Sequence, residues 1–416
     1  MQSSHPILLA LIGILGAAVP CAGGSGSTAP AARGDPEMLW DYATPGVLPQ
    51  TTVADGRRPY LYAATKNGGL LVLKTPEGRG RPVKAAQLPP LSFGGMEVMN
   101  LVKAGDRLYV ALGNFFNARG AEAGLAIVDV AAPDHPRVTA KWRSIKLLRG
   151  AAAVATDGRF AYLAAMSAGV IVFDVSDETR ITETARLLPD IQFPRRDPGR
   201  VQHPNVRGLA LAGDRLYVAD DAGGLRVIDV ANKRRPREIG RYINGAMLAK
   251  QQAYNNVVLD GPRAYVALDY CGLEILDVAD PAAIRQLGWW NPWGCDKATN
   301  IWFNSPGHVN QLVLDKARNA VLLSAGDSEL RIVDVADPAH PRLVGGFGEP
   351  RNKRGVWGVS ANGGTVYLTY IRAFIPFAGR WAGIRALKWP ASGSQAASGG
   401  AGPARAVGGG EAGDEP

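Results

Sequence analysis

Two histidines stand where their side chains could take part in chemistry. His203 and His308 each lie a few residues ahead of a short apolar run. Together with aspartates elsewhere in the chain, such a pair could bind a metal ion or transfer protons. Their spacing matches no known metal or catalytic-triad motif. We therefore predict a ligand contact or a loop hydrogen bond for each, and catalysis by His203 and His308 is the alternative. The aspartates in question are Asp220, Asp221, Asp269 and Asp327.

Aromatic and basic residues alternate in the long polar stretches around these histidines. Six of the nine tryptophans fall in or beside such stretches, interleaved with arginines. Aromatic faces stack on sugar rings or cations, and guanidinium groups bind carboxylates and phosphates. The alternative is that the aromatic rings pack the loops against each other. The predicted ligand-binding residues are Arg207, Asn256, Trp290, Trp293, Asn310, Arg354, Trp357 and Trp381.

Motifs for other chemistry are missing from the sequence. It has no glycine-rich phosphate loop, no nucleophile elbow, no HExxH motif and no paired CxxC motif. An aspartate that recurs at the end of strand-like runs indicates bonding to turn amides rather than to a metal. We predict no metal and no cofactor, and an enzyme stays open because sites can be assembled from distant segments. The recurring aspartates are Asp129, Asp174, Asp229, Asp277 and Asp334.

All these residues are carried on a repeated unit. The stretch Glu329–Phe347 shows it as an apolar β-branched run, a proline-containing turn and a second extended run. Similar runs start at glycines 45 to 55 residues apart, and each follows a second apolar run that usually contains a tyrosine. Each unit offers four short strands, which is the size of one propeller blade. Counting the copies predicts an all-β protein, a seven-bladed β-propeller of four-stranded blades.

The ends of the chain predict how the ring closes. The last copy stops at its third strand, Ile384–Trp389, and lacks an outer strand. Pro36–Tyr42 matches the outer-strand pattern. We therefore predict that this N-terminal strand closes the last blade and leaves no open sheet edge.

The repeated runs resemble the LVIVD-repeat β-propeller family, which occurs in secreted and surface proteins of bacteria and archaea. The similarity covers about residues 36–389. It implies the propeller fold and brings no established activity with it.

The predicted loops are unequal on the two faces of the ring. Loops that leave the outer strands, or join second to third strands, are long and share one face, which we call the long-loop face. Elaborated loops on a plain scaffold usually carry binding. We expect a binding protein that recognises an anionic glycan, an envelope component or a partner protein there. The alternatives are a hydrolase or lyase at the mouth of the central channel, and a scaffold for protein contacts only.

The N-terminus predicts export. Ile7–Val19 is an apolar run of 13 residues, too short to span a membrane and typical of a signal sequence. Lipidation of Cys21 is the alternative, but Val19 and Pro20 make a poor lipidation motif, so simple export is favoured. We assign residues 1–22 to the signal, 23–34 to a flexible spacer, 35–390 to the propeller and 391–416 to a disordered Gly/Ala-rich tail.

Charge and cysteines complete the prediction. The net charge of +9 favours acidic partners, and export argues against nucleic acid. We expect a monomer, periplasmic, secreted or attached to the cell surface, without a transmembrane span. Cys271 and Cys295 are predicted to form a disulfide, because both fall in loops of the same blade and face.

Overall fold

The computed structural model describes residues 35–114, 122–144, 150–194, 205–248, 254–350, 352–374 and 376–389. These residues all belong to one compact unit. The predicted signal sequence, spacer and tail, and the predicted site residue His203, lie outside them. No helix in the described residues is long and apolar enough to cross a membrane.

Short strands rich in Val, Ile, Leu, Tyr and Ala make up the described chain, as β propensity favours. In chain order they are β1 (Glu37–Ala43), β2 (Thr51–Ala54), β3 (Tyr60–Ala64), β4 (Leu70–Lys74), β5 (Val83–Leu88), β6 (Val98–Ala104), β7 (Arg107–Leu112), β8 (Gly124–Asp129), β9 (Arg137–Arg143), β10 (Ala153–Thr156), β11 (Phe160–Ala164), β12 (Val170–Asp174), β13 (Thr182–Leu187), β14 (Val206–Ala212), β15 (Arg215–Asp220), β16 (Gly224–Asp229), β17 (Arg237–Tyr242), β18 (Asn256–Asp260), β19 (Arg263–Ala267), β20 (Leu273–Asp277), β21 (Arg285–Trp290), β22 (Leu312–Asp315), β23 (Ala320–Ser324), β24 (Leu330–Asp334), β25 (Arg342–Phe347), β26 (Gly355–Asn362), β27 (Thr365–Ile371) and β28 (Gly383–Lys388). Single 3₁₀ turns lie at Pro90–Phe93, Asp221–Gly223, Gly245–Met247, Pro281–Ala283 and Lys316–Arg318.

The strands form seven four-stranded antiparallel sheets, which confirms the predicted seven-bladed propeller. Blades 1 to 6 take four consecutive strands each, from β2–β5 to β22–β25. Blade 7 consists of β26, β27 and β28, with β1 at its outer edge. In every blade the first strand lies innermost, around the central channel.

The hydrophobic core lies between neighbouring blades. The second and third strands of the blades are buried along almost their whole length, because each sheet is covered on both faces. Tyr62 and Val72 of blade 1, for example, pack in one cluster with Leu101 and Val110 of blade 2. Each fully buried side chain of this size contributes about 1.5–3 kcal/mol. The outer strands alternate between exposed and half-buried positions, as expected at the rim.

The recurring aspartates serve the turns, as predicted. Their Oδ1 atoms accept hydrogen bonds from the backbone N–H two residues later, at 2.8 to 3.1 Å. This contact fixes the chain as it leaves the third strand for the outer strand. In three of the five blades the aspartate also pairs with an arginine at the start of the outer strand.

The closing strand β1 has the pairing and the bulge of the other outer strands. β1 pairs antiparallel with β28 and carries a bulge between Met38 and Trp40. The other six blades have the same irregularity in the pairing of their third and outer strands. Asp41 binds the Arg385 guanidinium through two hydrogen bonds of 2.7 and 3.0 Å. The predicted N-terminal closure is therefore confirmed.

Candidate functional site

A cavity opens where the first residues of the inner strands converge on the long-loop face. It is narrow: the space between its walls is about 340 Å³ when open solvent is included, and the centre of a water molecule can occupy about 20 Å³ of it. Four of the eight predicted ligand-binding residues, Arg207, Asn256, Asn310 and Trp357, lie in its wall. The complete lining, from blades 2 to 7, is Met99, Asn100, Ala152, Arg207, Asn255, Asn256, Asn310, Gln311 and Trp357.

Carboxamide side chains tie the inner strands together around this cavity. Asn100 Nδ2 and Gln311 Nε2 both donate to Thr51 Oγ1, at 3.1 and 2.8 Å. Asn255 Nδ2 donates to the Val309 carbonyl at 3.0 Å. The Asn255 Oδ1 atom is buried and has no hydrogen-bond partner among the described residues. With these amide donors bound to protein, the amide oxygen of Asn255 offers a ligand an acceptor.

A buried carboxyl group lies beside Arg207. Asp221 Oδ2 accepts a 2.6 Å hydrogen bond from Asn205 Nδ2, whereas Asp221 Oδ1 is buried and has no partner in the part of the chain that the structure describes. Burial raises the pKa of Asp221 to about 6, against the attraction of Arg207 and the hydrogen bond from Asn205. At neutral pH the ionised carboxylate offsets part of the Arg207 charge. Protonation of Asp221 makes the cavity more positive.

A histidine–aspartate pair lies behind the cavity wall. His308 Nδ1 is 2.5 Å from Asp269 Oδ1, and Asp269 Oδ2 accepts from Trp302 Nε1 at 3.0 Å. Asn310, in the cavity wall, donates to the His308 carbonyl at 3.3 Å. His308 is only 1% exposed, and its Nε2 is buried with no partner among the described residues. The pairing with Asp269 orients the ring and leaves Nε2 as the nitrogen without a partner among the described residues.

The described residues do not build a metal centre from this pair. They contain no group of three or more His, Cys, Asp or Glu side chains placed to hold a metal ion.

A disulfide fixes the loops beside the histidine. Cys271 and Cys295 are bonded, with their Cα atoms 4.9 Å apart, and both are fully buried. The bond joins the loop between β19 and β20 to the loop that leaves β21, as predicted. Asp269, the partner of His308, stands two residues before Cys271, so the bond holds the same turn in place.

The LVIVD repeat model matches this chain four times. The matched segments are residues 149–188, 205–244, 254–288 and 324–348, which correspond to blades 3, 4 and 5 and to the outer half of blade 6.

The seven-bladed β-propeller therefore carries four segments that match the LVIVD repeat.

Solved structures share the fold of this LVIVD-repeat propeller at low sequence identity. The crystal structure of the RRP9 WD40 repeats matches with a TM-score of 0.56 and 12% identity, over 86% of this chain and 98% of that one. The WD40 β-propeller domain of Doa1 matches with a TM-score of 0.54 and 8% identity, over 85% and 97%. The computationally designed Ika8 protein has a TM-score of 0.50 and 9% identity, over 85% and 100%. A search of curated protein sequences finds no match. These likenesses show the fold alone.

The other four predicted ligand-binding residues of the propeller lie away from the cavity. Trp290 is 8% exposed, and its ring packs edge-on against Trp293 at 5.8 Å between centroids. Trp381 lies within 5.5 Å of the Arg354 guanidinium and 5.7 Å of the Arg385 guanidinium. Trp290 and Trp381 therefore fit the alternative that loop aromatics pack against the scaffold.

One set of buried charges in the propeller was not predicted. In blades 4 to 7 the second or third residue of the third strand is charged and at least half-buried, whereas blades 1 to 3 have Leu71, Ala126 and Ile171 there. A charged side chain at an otherwise apolar position of the repeat was the signal in the sequence. The four residues are Arg226, Glu274, Arg331 and Arg385.

Proposed function

We propose that this propeller is an exported binding protein that recognises an anionic glycan, an envelope component or a partner protein through its long-loop face. The observation that carries the proposal is the cavity, in which Arg207, carboxamide side chains and Trp357 line one small volume. The disulfide and the absence of a membrane-crossing helix from the described residues fit an exported protein.

The chemistry of the cavity favours the acidic group of a sugar. A guanidinium group binds a carboxylate through paired, charge-assisted hydrogen bonds, which suits Arg207. The Asn255 amide oxygen accepts a bond from a hydroxyl group, and the Trp357 ring offers an apolar surface to a sugar face. A ligand with a carboxylate next to hydroxyl groups, such as a uronic acid, meets all three requirements.

The test is calorimetric titration with short uronic acid oligosaccharides, with neutral oligosaccharides of the same length as the ligand control. Arg207→Gln removes the cation from the cavity. The matched control is Arg235→Gln, an exposed arginine in the turn between β16 and β17 on the opposite face. We expect Arg207→Gln to weaken binding about 10- to 100-fold, as for other hydrogen bonds to charged groups. Equal affinities for the two variants would reject the cavity as the binding site.

The pH dependence gives a second check. Because protonation of Asp221 makes the cavity more positive, binding of the acidic ligand should strengthen as the pH falls from 7 to 5. Asp221→Asn should bind the ligand as tightly at pH 7 as at pH 5. A pH dependence that persists in this variant would assign it to another group.

Catalysis is the second candidate, favoured by the Asp269–His308 pair. An aspartate that holds the Nδ1 side of an imidazole leaves Nε2 ready to accept a proton, as in hydrolases and lyases. The test is chromatography of a bound oligosaccharide after long incubation, comparing His308→Gln with the natural protein. Shortened products with the natural protein alone support an enzyme. Unchanged ligand in both samples leaves binding as the function.

A further inference from the structure

Exposed apolar side chains of the propeller gather on one face. Among the described residues, every strongly exposed large apolar side chain in a loop belongs to the long-loop face, and the others lie on outer strands. Phe374 is the most exposed, at 86%, followed by Leu91 at 82% and Phe303 at 62%. The seven loop residues, which we call the apolar tips, are Leu91, Leu188, Ile191, Leu248, Ile301, Phe303 and Phe374.

Cations without acidic partners surround the most exposed tip. Lys353, Arg372 and Arg380 are exposed and form no ion pair among the described residues. The Arg380 backbone N–H donates to the Lys353 carbonyl at 2.8 Å, which joins the loop between β27 and β28 to the loop between β25 and β26. Ala373 and Gly379 form a β-bridge within the first of these loops. Lys353, Arg372 and Arg380 therefore lie on two loops that are joined close to Phe374 in the chain.

The described chain begins and ends on the face opposite the apolar tips. β1 enters blade 7 from the face opposite the long-loop face, and β28 ends on that same opposite face. The described chain therefore reaches both of its ends on the side away from the apolar tips.

We propose that the long-loop face docks on a membrane surface that carries anionic lipid headgroups. Apolar tips beside unpaired cations are the pattern of surfaces that insert side chains at the headgroup boundary while attracting acidic lipids. Leu91, Leu188 and Ile301 would contribute little to the binding of a glycan chain, because branched aliphatic side chains offer it neither a stacking plane nor a hydrogen bond. The inference rests on the proposed function and deepens it, because it names the envelope component as a lipid surface.

The test is co-sedimentation of the purified protein with vesicles of 30% phosphatidylglycerol in phosphatidylcholine. Phosphatidylcholine vesicles and 0.5 M salt are the comparison conditions. We expect binding to the acidic vesicles at low salt that salt abolishes. Lys353→Gln/Arg372→Gln/Arg380→Gln should weaken it about 100-fold, from roughly fivefold per cation. The control is the triple change of Arg137, Arg234 and Arg235, exposed cations of the opposite side.

The apolar tips are tested in the same assay. Phe303→Ser/Phe374→Ser should reduce vesicle binding at least tenfold, whereas Val83→Ser/Leu343→Ser, at exposed outer-strand positions, should leave it unchanged. Equal binding by the two double variants would overturn the docking surface. Failure of the natural protein to bind acidic vesicles would also overturn it. A third refuting result is self-association of the natural protein that is lost in the tip variant, measured by sedimentation velocity, because a second copy of the chain would then cover this face.

Arg207→Gln separates this inference from the proposed function. It should weaken binding of soluble uronic acid oligosaccharides about 10- to 100-fold and reduce vesicle binding less than the triple cation variant. Vesicle binding without oligosaccharide binding would reject the cavity and keep the docking surface. The reverse result would reject the docking surface and keep the cavity.

Discussion

Glu274 is the charge whose removal is most informative about this structure. The side chain, on β20, is fully buried. Its Oε1 accepts from Tyr242 at 3.0 Å, Asn244 at 3.1 Å and Gln286 at 2.5 Å, and its Oε2 accepts from Tyr254 at 3.2 Å. All four donors are neutral. Burial raises the pKa of Glu274 from 4.5 to about 7, against the effect of these hydrogen bonds.

The sign of the effect follows from linkage. The folded state holds the proton up to about pH 7, whereas the unfolded chain releases it near pH 4.5. The stabilisation is therefore complete below pH 4.5 and is lost as the pH rises through 7. Each pKa unit corresponds to about 1.4 kcal/mol, so the pKa difference gives a loss of about 3 kcal/mol in the free energy of unfolding.

The assay is urea unfolding of the natural protein and Glu274→Gln, at pH 5 and pH 8. The glutamine keeps the size of the side chain and does not titrate. We expect the free energy of unfolding to fall between the two pH values by about 2.5 kcal/mol more in the natural protein than in the variant, because a part of the loss already occurs below pH 5. Asp221 titrates in the same range, but it is present in both proteins and cancels in the comparison. Parallel pH dependences would refute a protonated Glu274 in the folded protein.

Three further perturbations test other parts of the ring. Replacing Cys271 and Cys295 with serine removes a cross-link between residues 24 positions apart and should lower the free energy of unfolding in urea by about 3 kcal/mol. A decrease of less than about 1 kcal/mol would contradict the idea that the disulfide restricts the conformations of the unfolded chain. Deleting residues up to Tyr42 removes the closing strand and Asp41, the partner of Arg385. The melting temperature should therefore fall by several degrees. An unchanged melting temperature would show that blade 7 does not need its outer strand. Although burial opposes it, hydrogen bonds from Arg58 and Tyr62 lower the pKa of Asp55 to about 2. Acid unfolding should therefore remove more stability from the natural protein than from Asp55→Asn as the pH falls from 4 to 2, and equal losses would contradict this role.

The fold was predictable because its information is local and repeated. The recurring aspartates fix one turn each, and the run before each aspartate has the β-branched and apolar residues of a strand buried on both faces. Pro36–Tyr42 could be assigned to blade 7 because only one blade lacked an outer strand. That Arg207, Asn256, Asn310 and Trp357 share one cavity wall follows from their place at the start of inner strands, which all begin at the same channel mouth.

The loop aromatics were harder to interpret, because their surroundings come from distant parts of the chain. The sequence around Trp290 and Trp293 does not show that these two rings pack against each other. The environment of Trp381 depends on Arg354, which belongs to the loop between blades 6 and 7, and on Arg385, which is bound to a strand from the other end of the chain. Residue type alone cannot separate such packing from ligand contact.

The buried charges of blades 4 to 7 connect the repeat to the loops. Arg226 donates to the carbonyls of Asp190 and Phe193, and so holds the loop between blades 3 and 4. Glu274 accepts from Asn244 and Tyr254, at the two ends of the next loop. Each of these charges reaches a loop that follows an outer strand.

The same arrangement continues around the ring. Arg331 donates to the carbonyl of Gly348, after the outer strand of blade 6, and Asn352 bonds to Glu329 beside it. A buried charge without partners would cost several kcal/mol, so each of these loops must adopt the conformation that supplies its partners. A charged residue at an otherwise apolar repeat position thus anchors described residues of the loop that follows an outer strand. These anchored residues lie in the connections that lead to Arg207, Asn255 and Trp357 in the cavity wall.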